Sequence, residues 1–196
     1  MGFVVVGGPN LQAEVKKLQP KILSAIEKAA TEVGAGRANT ECQRWFGDVT
    51  PAFKKDLAKK LRSFRSVVNL KEVRIHFASI KERERNENAA AYQPTNGWQD
   101  NSSIQKAQTQ SFEMHINEAF SQLPTYCTPS PAATNGQSKF DTLVHELSHL
   151  FLNTEDESYL GATAYGGATA RLLATNDAAH AKTNAENWGL FIEEFV

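Results

Sequence analysis

The residues of this 196-residue chain that could do chemistry are grouped at His145, Glu146 and His149. In a helix, residues four apart lie on the same face, so both imidazoles can direct a ring nitrogen at one metal ion. Histidines at this spacing are typical zinc ligands. Glu146 lies beside them, where its carboxylate can take a proton from an attacking water and pass it to a leaving amine. The pattern predicts zinc-dependent peptide hydrolysis. Because a five-residue motif also occurs by chance in unrelated helices, the rest of the sequence must decide whether this prediction holds.

A catalytic zinc site takes three protein ligands and leaves a fourth position for water, so a third ligand is required. The extended motif with a further glycine and histidine is excluded, because the chain has Leu152 and Glu155 at those positions. Glu186 could be a ligand from a later helix, but the sequence around it lacks the Asn-Glu-Ala context of that arrangement. An aspartate just beyond the first helix remains, and Asp156 is the candidate.

The segment after the motif resembles the aspzincin family of zinc metallopeptidases, which comprises the deuterolysins and the peptidyl-Lys metalloendopeptidases. The family signature is His-Glu-x-x-His followed by Gly-Thr-x-Asp-x-x-Tyr-Gly. Thr154, Asp156 and Tyr159 match this signature at the correct internal spacing, whereas Asn153 and Leu160 replace its two glycines. The turn between the helix and Asp156 is also short, so the sequence defines the identity of the ligands better than it defines the geometry of this turn.

The resemblance implies a zinc endopeptidase with Zn²⁺ as its cofactor and with assigned roles for the site residues. Glu146 would be the catalytic base. Tyr159 would be the catalytic phenol that donates a hydrogen bond to the oxyanion, and Tyr165 is an alternative donor. The implied metal ligands are His145, His149 and Asp156.

The resemblance also covers residues 184–191, which are similar to a C-terminal helix of the family that contains Asn-Ala-Asp. In the Lys-specific members, an aspartate of this segment and a glutamate three residues later receive the substrate lysine. Glu186 falls on the first position and keeps the charge, whereas Gly189 falls on the second and loses it. We therefore expect Glu186 to bind substrate, with a preference for a basic residue after the cleaved bond but no strict lysine specificity.

Hydrophobic periodicity predicts an α+β fold, mostly helical with a small sheet, and the resemblance implies a zincin-like form with a central zinc-binding helix. An apolar stripe marks residues 11–33 as a helix, which Pro20 either bends or divides in two. Thr50 and Pro51 are typical of a cap and a first helical position, and Ser138 with Asp141 resembles a capping box that opens the zinc helix. Further elements are helices over residues 39–46, 53–64 and 178–195, strands over 73–78 and 111–117, an exposed turn at 81–88, and loops over 89–110 and 122–136.

Charge is distributed unevenly along the chain. Residues 1–85 carry 17 Lys and Arg against 9 Asp and Glu (+8), whereas residues 86–196 carry 4 against 13 (−9). Either the acidic half favours cationic substrates, or the two halves complement each other within one fold. The basic side chains of residues 54–65 are interpreted as a solvated helix face, so no nucleic-acid partner is expected.

A hydrophobic content of 41% is sufficient for one domain over residues 1–196, with an N-terminal part at about 11–137 and the zinc helix and C-terminal helices at 138–196. No run reaches the roughly 18 apolar residues of a membrane span, so no membrane partner is expected. The expected partners are protein or peptide substrates, and the expected oligomeric state is a monomer. Residues 1–10 lack the basic start of a secretory signal. We expect export by another route or a mature or trimmed form, and otherwise a cytoplasmic protein. Cys42 and Cys127 form either one disulfide or two buried thiols.

A second hypothesis assigns the chain to a different class. The replacement of two signature glycines by Asn153 and Leu160 could instead mark a catalytically degenerate binding module, or a bacterial toxin or effector domain that keeps the zincin fold. Zinc content separates the hypotheses, because an active enzyme must hold its metal.

Overall fold

The computed structural model describes residues 2–77, 91–92 and 111–196. The predicted turn at 81–88 and most of the predicted loop at 89–110 lie outside these residues. In chain order the elements are β1 (Phe3–Val6), α1 (Pro9–Gly34), α2 (Asn39–Phe46), α3 (Pro51–Leu70), β2 (Glu72–Phe77), β3 (Ala91–Tyr92), β4 (Ser111–Ile116), α4 (Glu118–Gln122), a 3-10 turn (Pro131–Ala133), α5 (Lys139–Leu152), β5 (Ser158–Tyr159), β6 (Ala162–Thr163), α6 (Gly166–Asn176), α7 (Ala178–Ala181) and α8 (Ala185–Glu193).

One four-stranded sheet has the order β1-β2-β4-β3. β2 runs parallel to β1 and to β4, and β3 pairs antiparallel with the end of β4. Val73, Ile75 and Met114 alternate with polar residues and are fully buried, which confirms the half-buried strands predicted from the period of two. The sequence prediction missed β1, because four residues are too few to distinguish a strand from an apolar coil.

The N-terminal helices pack as the apolar stripes predict. α1 is one continuous helix despite Pro20, which lies on its exposed side. Thr50 caps α3 by accepting a hydrogen bond from the Phe53 amide, as its position before Pro51 predicts. α3 continues to Leu70, six residues beyond the predicted end near Phe64, because Val68 extends its buried stripe.

A buried polar network joins the C-terminal helix to its neighbours. The Asn187 side-chain amide donates to the backbone carbonyls of Trp45 (2.6 Å) and Ala170 (2.9 Å), and the Asn184 amide donates to Asn187 Oδ1 (2.6 Å). Each of these amides would cost free energy if it were buried without a partner. The network therefore fixes α8 against α2 and α6, which determines where Glu186 lies.

Cys42 and Cys127 are buried free thiols, so the second of the two alternatives is observed and these cysteines form no disulfide. The helices that the structure describes include none that combines the length and the apolar content needed to cross a bilayer.

Candidate active site

α5 carries the predicted motif and begins at the predicted cap. Ser138 Oγ accepts a hydrogen bond from the Asp141 amide (2.9 Å) and donates to Glu193 Oε2 (2.8 Å), which ties the start of α5 to the end of α8. Phe140, Leu143, Val144 and Leu147 are fully buried along one stripe. This packing sets the rotation of the helix and leaves His145 and His149 on the adjacent face.

The side chains of His145, His149 and Asp156 converge at the end of α5. The His145 Nε2 to His149 Nε2 distance is 3.1 Å, and Asp156 Oδ1 lies 3.1 Å from His145 Nε2 and 3.3 Å from His149 Nε2. A tetrahedral zinc ion with bonds near 2.0 Å separates its ligand atoms by roughly 3.3 Å. The triangle therefore has the size that zinc requires, and it joins the predicted third ligand to the two histidines.

A second ring of contacts orients the two imidazoles. His145 Nδ1 donates to Glu186 Oε2 (3.2 Å), and His149 Nδ1 donates to the Thr154 carbonyl oxygen (2.7 Å). With the Nδ1 protons directed to these acceptors, both Nε2 lone pairs point toward Asp156 Oδ1. With both rings neutral in this tautomer, the three acceptor atoms would repel one another, and either a proton or a metal cation between them relieves the repulsion.

The turn that returns Asp156 to the helix depends on a left-handed residue. Asn153, the residue after α5, has φ 55°. Glycine is favoured in this conformation, and asparagine is among the non-glycine residues that adopt it at the smallest cost. The Glu155 amide then donates to the Thr183 carbonyl (2.8 Å), and Glu155 accepts from the Ala185 amide (2.9 Å). These bonds hold the segment beside α8. Because Asn153 adopts the left-handed conformation expected of the signature glycine, its replacement of that glycine preserves the turn.

Leu160 replaces the second signature glycine and also has a positive φ, 53°. With Gly161 (φ 82°) it forms the two-residue turn of the β5–β6 hairpin, in which Tyr159 pairs with Ala162. Positive φ at both turn residues is the type I′ geometry that matches the twist of a hairpin. The backbone shape is retained at Leu160, at a cost of about 1–2 kcal/mol for a residue with a Cβ.

Electrostatics at the triangle depend on the short contacts. Burial raises the pKa of Asp156, but its hydrogen bonds to His145 and His149 outweigh burial and hold that pKa well below its usual range. Burial lowers the pKa of His145, but the contacts with Asp156 and Glu186 outweigh it and raise that pKa above its ordinary value. The site therefore favours positive charge next to an ionised carboxylate.

The two candidate tyrosines lie in different surroundings. The centroids of the Tyr165 and His145 rings are 5.8 Å apart. Burial, and the negative charge of Asp156, raise the pKa of the Tyr165 phenol. The Tyr159 ring packs instead against the small apolar cluster of Ala164, Leu173, Ala174 and Ala181. The residues that the structure describes show no hydrogen bond or ring contact from Tyr159 to the triangle. The geometry thus places Tyr165, the alternative donor, beside the site.

Glu186 lies behind His145 and not on a surface that substrate can reach. Its side chain is fully buried, and Oε1 accepts from the Gly166 amide (2.8 Å) while Oε2 accepts from His145. Both carboxylate oxygens thus have partners within the protein, and the contact with a substrate lysine stays a prediction. The sequence indicated this residue by its charge, whereas its contact with His145 depends on the packing of α8.

Asp141 is a second buried carboxylate that sequence reasoning assigned only to a helix cap. It is 0% exposed, and neither oxygen has a hydrogen-bond partner among the described residues. A Cβ added at Gly189 would clash with Asp141 Oδ1. Asp141 therefore occupies the space that a side chain at position 189 would need, so the loss of the second acidic residue there is a steric requirement of this chain.

Glu146 follows His145 in α5 and is buried, and its charge acts on both His145 and Tyr165. It is therefore close to the triangle, although the ligand atoms come from its neighbours. His180, in contrast, is exposed and bonds Asp177 Oδ2 (2.6 Å).

This fold, with two histidines and an aspartate converging at the end of one helix, defines a zinc metallopeptidase. A sequence model of the aspzincin family, described as lysine-specific metallo-endopeptidase, matches residues 31–193, and the chain belongs to that family. It is a zinc metalloendopeptidase, and its substrates are proteins or peptides. The resemblance stated from the sequence is thereby confirmed.

Among solved structures, a zinc peptidase from Grifola frondosa has a similar fold. The two chains are 21% identical and superpose with a TM-score of 0.65, covering 95% of this chain and 96% of that one. At this identity the likeness supports the α+β fold. No curated protein sequence matches the chain.

Proposed function

We propose that this enzyme cleaves peptide bonds at the triangle of His145, His149 and Asp156, with Glu146 as the general base, and favours a basic residue on the carboxyl side of the cleaved bond. The observation that carries the assignment is the set of mutual distances of 3.1–3.3 Å between the three ligand atoms. Zinc, when bound there, supplies a Lewis acid that polarises the carbonyl and acidifies its water.

The protein's own groups divide the remaining chemistry between them. Glu146 takes the proton from the attacking water and delivers it to the leaving amine. Tyr165 donates its phenolic proton in a hydrogen bond to the developing oxyanion, since its ring lies beside His145 and its hydroxyl interacts with Asp156. Glu186 and the Thr154 carbonyl hold the two imidazoles in the ligating tautomer.

The proposed preference for a basic residue has electrostatic support. Residues 86–196, which carry the site, have a formal charge of −9 (4 Lys and Arg against 13 Asp and Glu). Burial, and repulsion from Glu186 and Glu193, raise the pKa of Asp141 well above its ordinary value. The repulsive part of this effect reports a negative potential near the site. A negative field attracts a cationic side chain without a dedicated pocket. This supports a graded preference for lysine and arginine.

Glu146→Gln tests the catalytic assignment. The amide cannot take a proton, so we expect peptide cleavage to fall by about 10²–10⁴-fold while zinc is retained. The measurements are the rate of casein hydrolysis and the zinc content of the purified protein. Glu155→Gln, the same change at an exposed neighbour, is the matched control. An undiminished rate in Glu146→Gln would show that the assigned base is wrong.

Cleavage-site mapping tests the preference separately. Casein and histone are incubated with and without a zinc chelator, and the new termini are identified by mass spectrometry. We expect lysine and arginine to be enriched after the cleaved bond only without the chelator. Cleavage without such enrichment would refute the basic preference and leave the peptidase assignment intact.

The hypothesis of a degenerate module was motivated by Asn153 and Leu160. Both residues adopt the positive φ that the signature glycines would provide, so no observation in the described residues favours it. The hypothesis is tested by measuring the zinc content of the purified protein at neutral pH. A content of only a small fraction of one zinc per protein would support a degenerate module.

A further inference from the structure

A pocket of about 530 Å³ lies between α3 and the carboxyl end of α5. Its lining residues include none of the metal triangle and not Glu146. Its volume is within the range of about 300–1,000 Å³ that is typical of small-molecule sites. It is therefore a second candidate binding site, separate from the proteolytic one.

The walls of the pocket are largely aromatic and fixed by mutual packing. Phe46 contacts Phe53 edge-to-face with 5.6 Å between ring centroids, and it contacts Trp188 in the same way at 5.3 Å. Phe64 from α3 and Phe151 from α5 add two more rings, and Leu57, Val67 and Leu152 also line the pocket. Since Phe46 and Phe64 also belong to the core, the cavity is built into the fold and does not depend on loop closure.

The rim of the pocket is positively charged. Three lysines, Lys59, Lys60 and Lys182, line it together with one acidic residue, Asp56, which leaves a formal charge of +2. Lys182 is held by Asp48 (2.8 Å) and lies 4.8 Å from the Phe53 ring centroid. Lys59 and Lys60 are exposed and have no ion-pair partner among the residues that the structure describes. Two ammonium groups are thus available to a ligand at the mouth of an apolar cavity.

We propose that this pocket binds a free fatty acid, with the hydrocarbon chain against the aromatic walls and the carboxylate at Lys59 and Lys60. The apolar lining selects a hydrophobic chain, because burial of such a chain is the main source of free energy available there. The lysine rim favours an anionic head group, since a cationic one would be repelled and a neutral one would gain no charge attraction there.

The probe is dodecanoate below its micellar concentration, titrated calorimetrically into the full chain. We expect one saturable site per protein. Dodecyltrimethylammonium, with the same chain and the opposite charge, should bind at least about tenfold more weakly. Equal binding of the two amphiphiles would overturn the proposal, because it would show a purely apolar cavity. Association with acidic phospholipid vesicles without binding of free dodecanoate would also overturn it.

Two variants test the location of the site. Lys59→Glu/Lys60→Glu should weaken dodecanoate binding by about tenfold or more, since two charge contacts are reversed. The matched control is Lys16→Glu/Lys17→Glu, an exposed adjacent lysine pair on α1 with the same change in net charge, which should bind as the unaltered protein does. Ser63→Trp introduces a bulky ring at an exposed position of the lining and should abolish binding. Thermal unfolding confirms that each variant is folded, and unchanged affinity in Lys59→Glu/Lys60→Glu or in Ser63→Trp would refute the site.

Discussion

The two sides of the His145 ring contain the same chemical groups in opposite circumstances. On the Nε2 side, Asp156 is 42% exposed in its side chain and bonds both histidines. On the Nδ1 side, Glu186 is fully buried, and so is Asp141, whose charge interacts with Glu186 and with His145. Glu186 has a partner for each oxygen, whereas Asp141 has no hydrogen-bond partner among the described residues.

This comparison shows that the partner of a carboxylate, more than its depth, determines what it does. Asp156 is ionised because imidazoles contact it, and it can ligate a metal. Glu186 turns its charge toward His145 and fixes that ring. Asp141 is surrounded by acidic groups, so burial and repulsion favour its neutral form. Removing the charge of each carboxylate in turn should therefore produce three different outcomes.

The largest effect is expected for Asp156→Ala on the Nε2 side. Loss of one of three ligands should remove zinc and abolish cleavage, because two histidines alone do not complete the site. Zinc affinity by chelator competition and casein hydrolysis are the measurements. Glu155→Ala, its exposed neighbour, should leave both unchanged. If Asp156→Ala holds zinc as tightly as the unaltered enzyme does, another residue is the third ligand.

Tyr165→Phe and Tyr159→Phe test which of the two phenols is the oxyanion donor on the Nε2 side of His145. Loss of an oxyanion donor costs about 10²–10³-fold in kcat, and this loss should appear in Tyr165→Phe with zinc content unchanged. Tyr159→Phe should have a much smaller effect, since its ring packs against a separate cluster. The opposite result would return the donor role to Tyr159, as the family resemblance implies.

Glu186→Gln tests the Nδ1 side. The amide can replace only one of two acceptor oxygens, so either His145 or the Gly166 amide loses its partner. Groups in this position typically contribute about 10–100-fold to metal affinity, and we expect a loss in that range. Glu41→Gln on α2 is the control for the same chemical change. If zinc affinity is retained but the preference for basic residues disappears, Glu186 is a substrate-binding residue after all.

The smallest effect, and one of opposite sign, is expected for Asp141→Asn. Burial raises the pKa of Asp141 in the folded state, so above about pH 4 the unfolded chain releases a proton that the folded chain retains. Stability is then lost as pH rises, and the variant avoids this loss. We expect its unfolding temperature to exceed that of the unaltered protein by a few degrees at pH 7 and by less near pH 4. Asp56→Asn on the exposed face of α3 is the control, and a destabilised Asp141→Asn would show that the carboxylate has a partner.

The sequence predicted what depends on spacing within one element. The i, i+4 histidines, the Ser138 cap and the buried stripe of α5 all follow from helical geometry. The α+β fold follows from the hydrophobic periodicity. Asp156 came from excluding other third ligands and from the family resemblance, and the structure brings it to the histidines. The position of Glu186 was missed, because it depends on how Asn184 and Asn187 fix α8 against distant parts of the chain. The choice between Tyr159 and Tyr165 was open for the same reason, since the hairpin turn at Leu160 and Gly161 separates the two tyrosines and only the Tyr165 ring contacts His145.

The two buried thiols provide a means of observing this molecule as it opens. Burial raises the pKa of Cys42 to about 11, and it raises the pKa of Cys127 further, so neither thiol is reactive in the folded chain at neutral pH. Cys42 lies on α2, and Cys127 lies in the loop before α5, where its amide donates to Glu193 Oε1. Their alkylation rates would therefore report separately on how often each half of the enzyme exposes its interior to solvent.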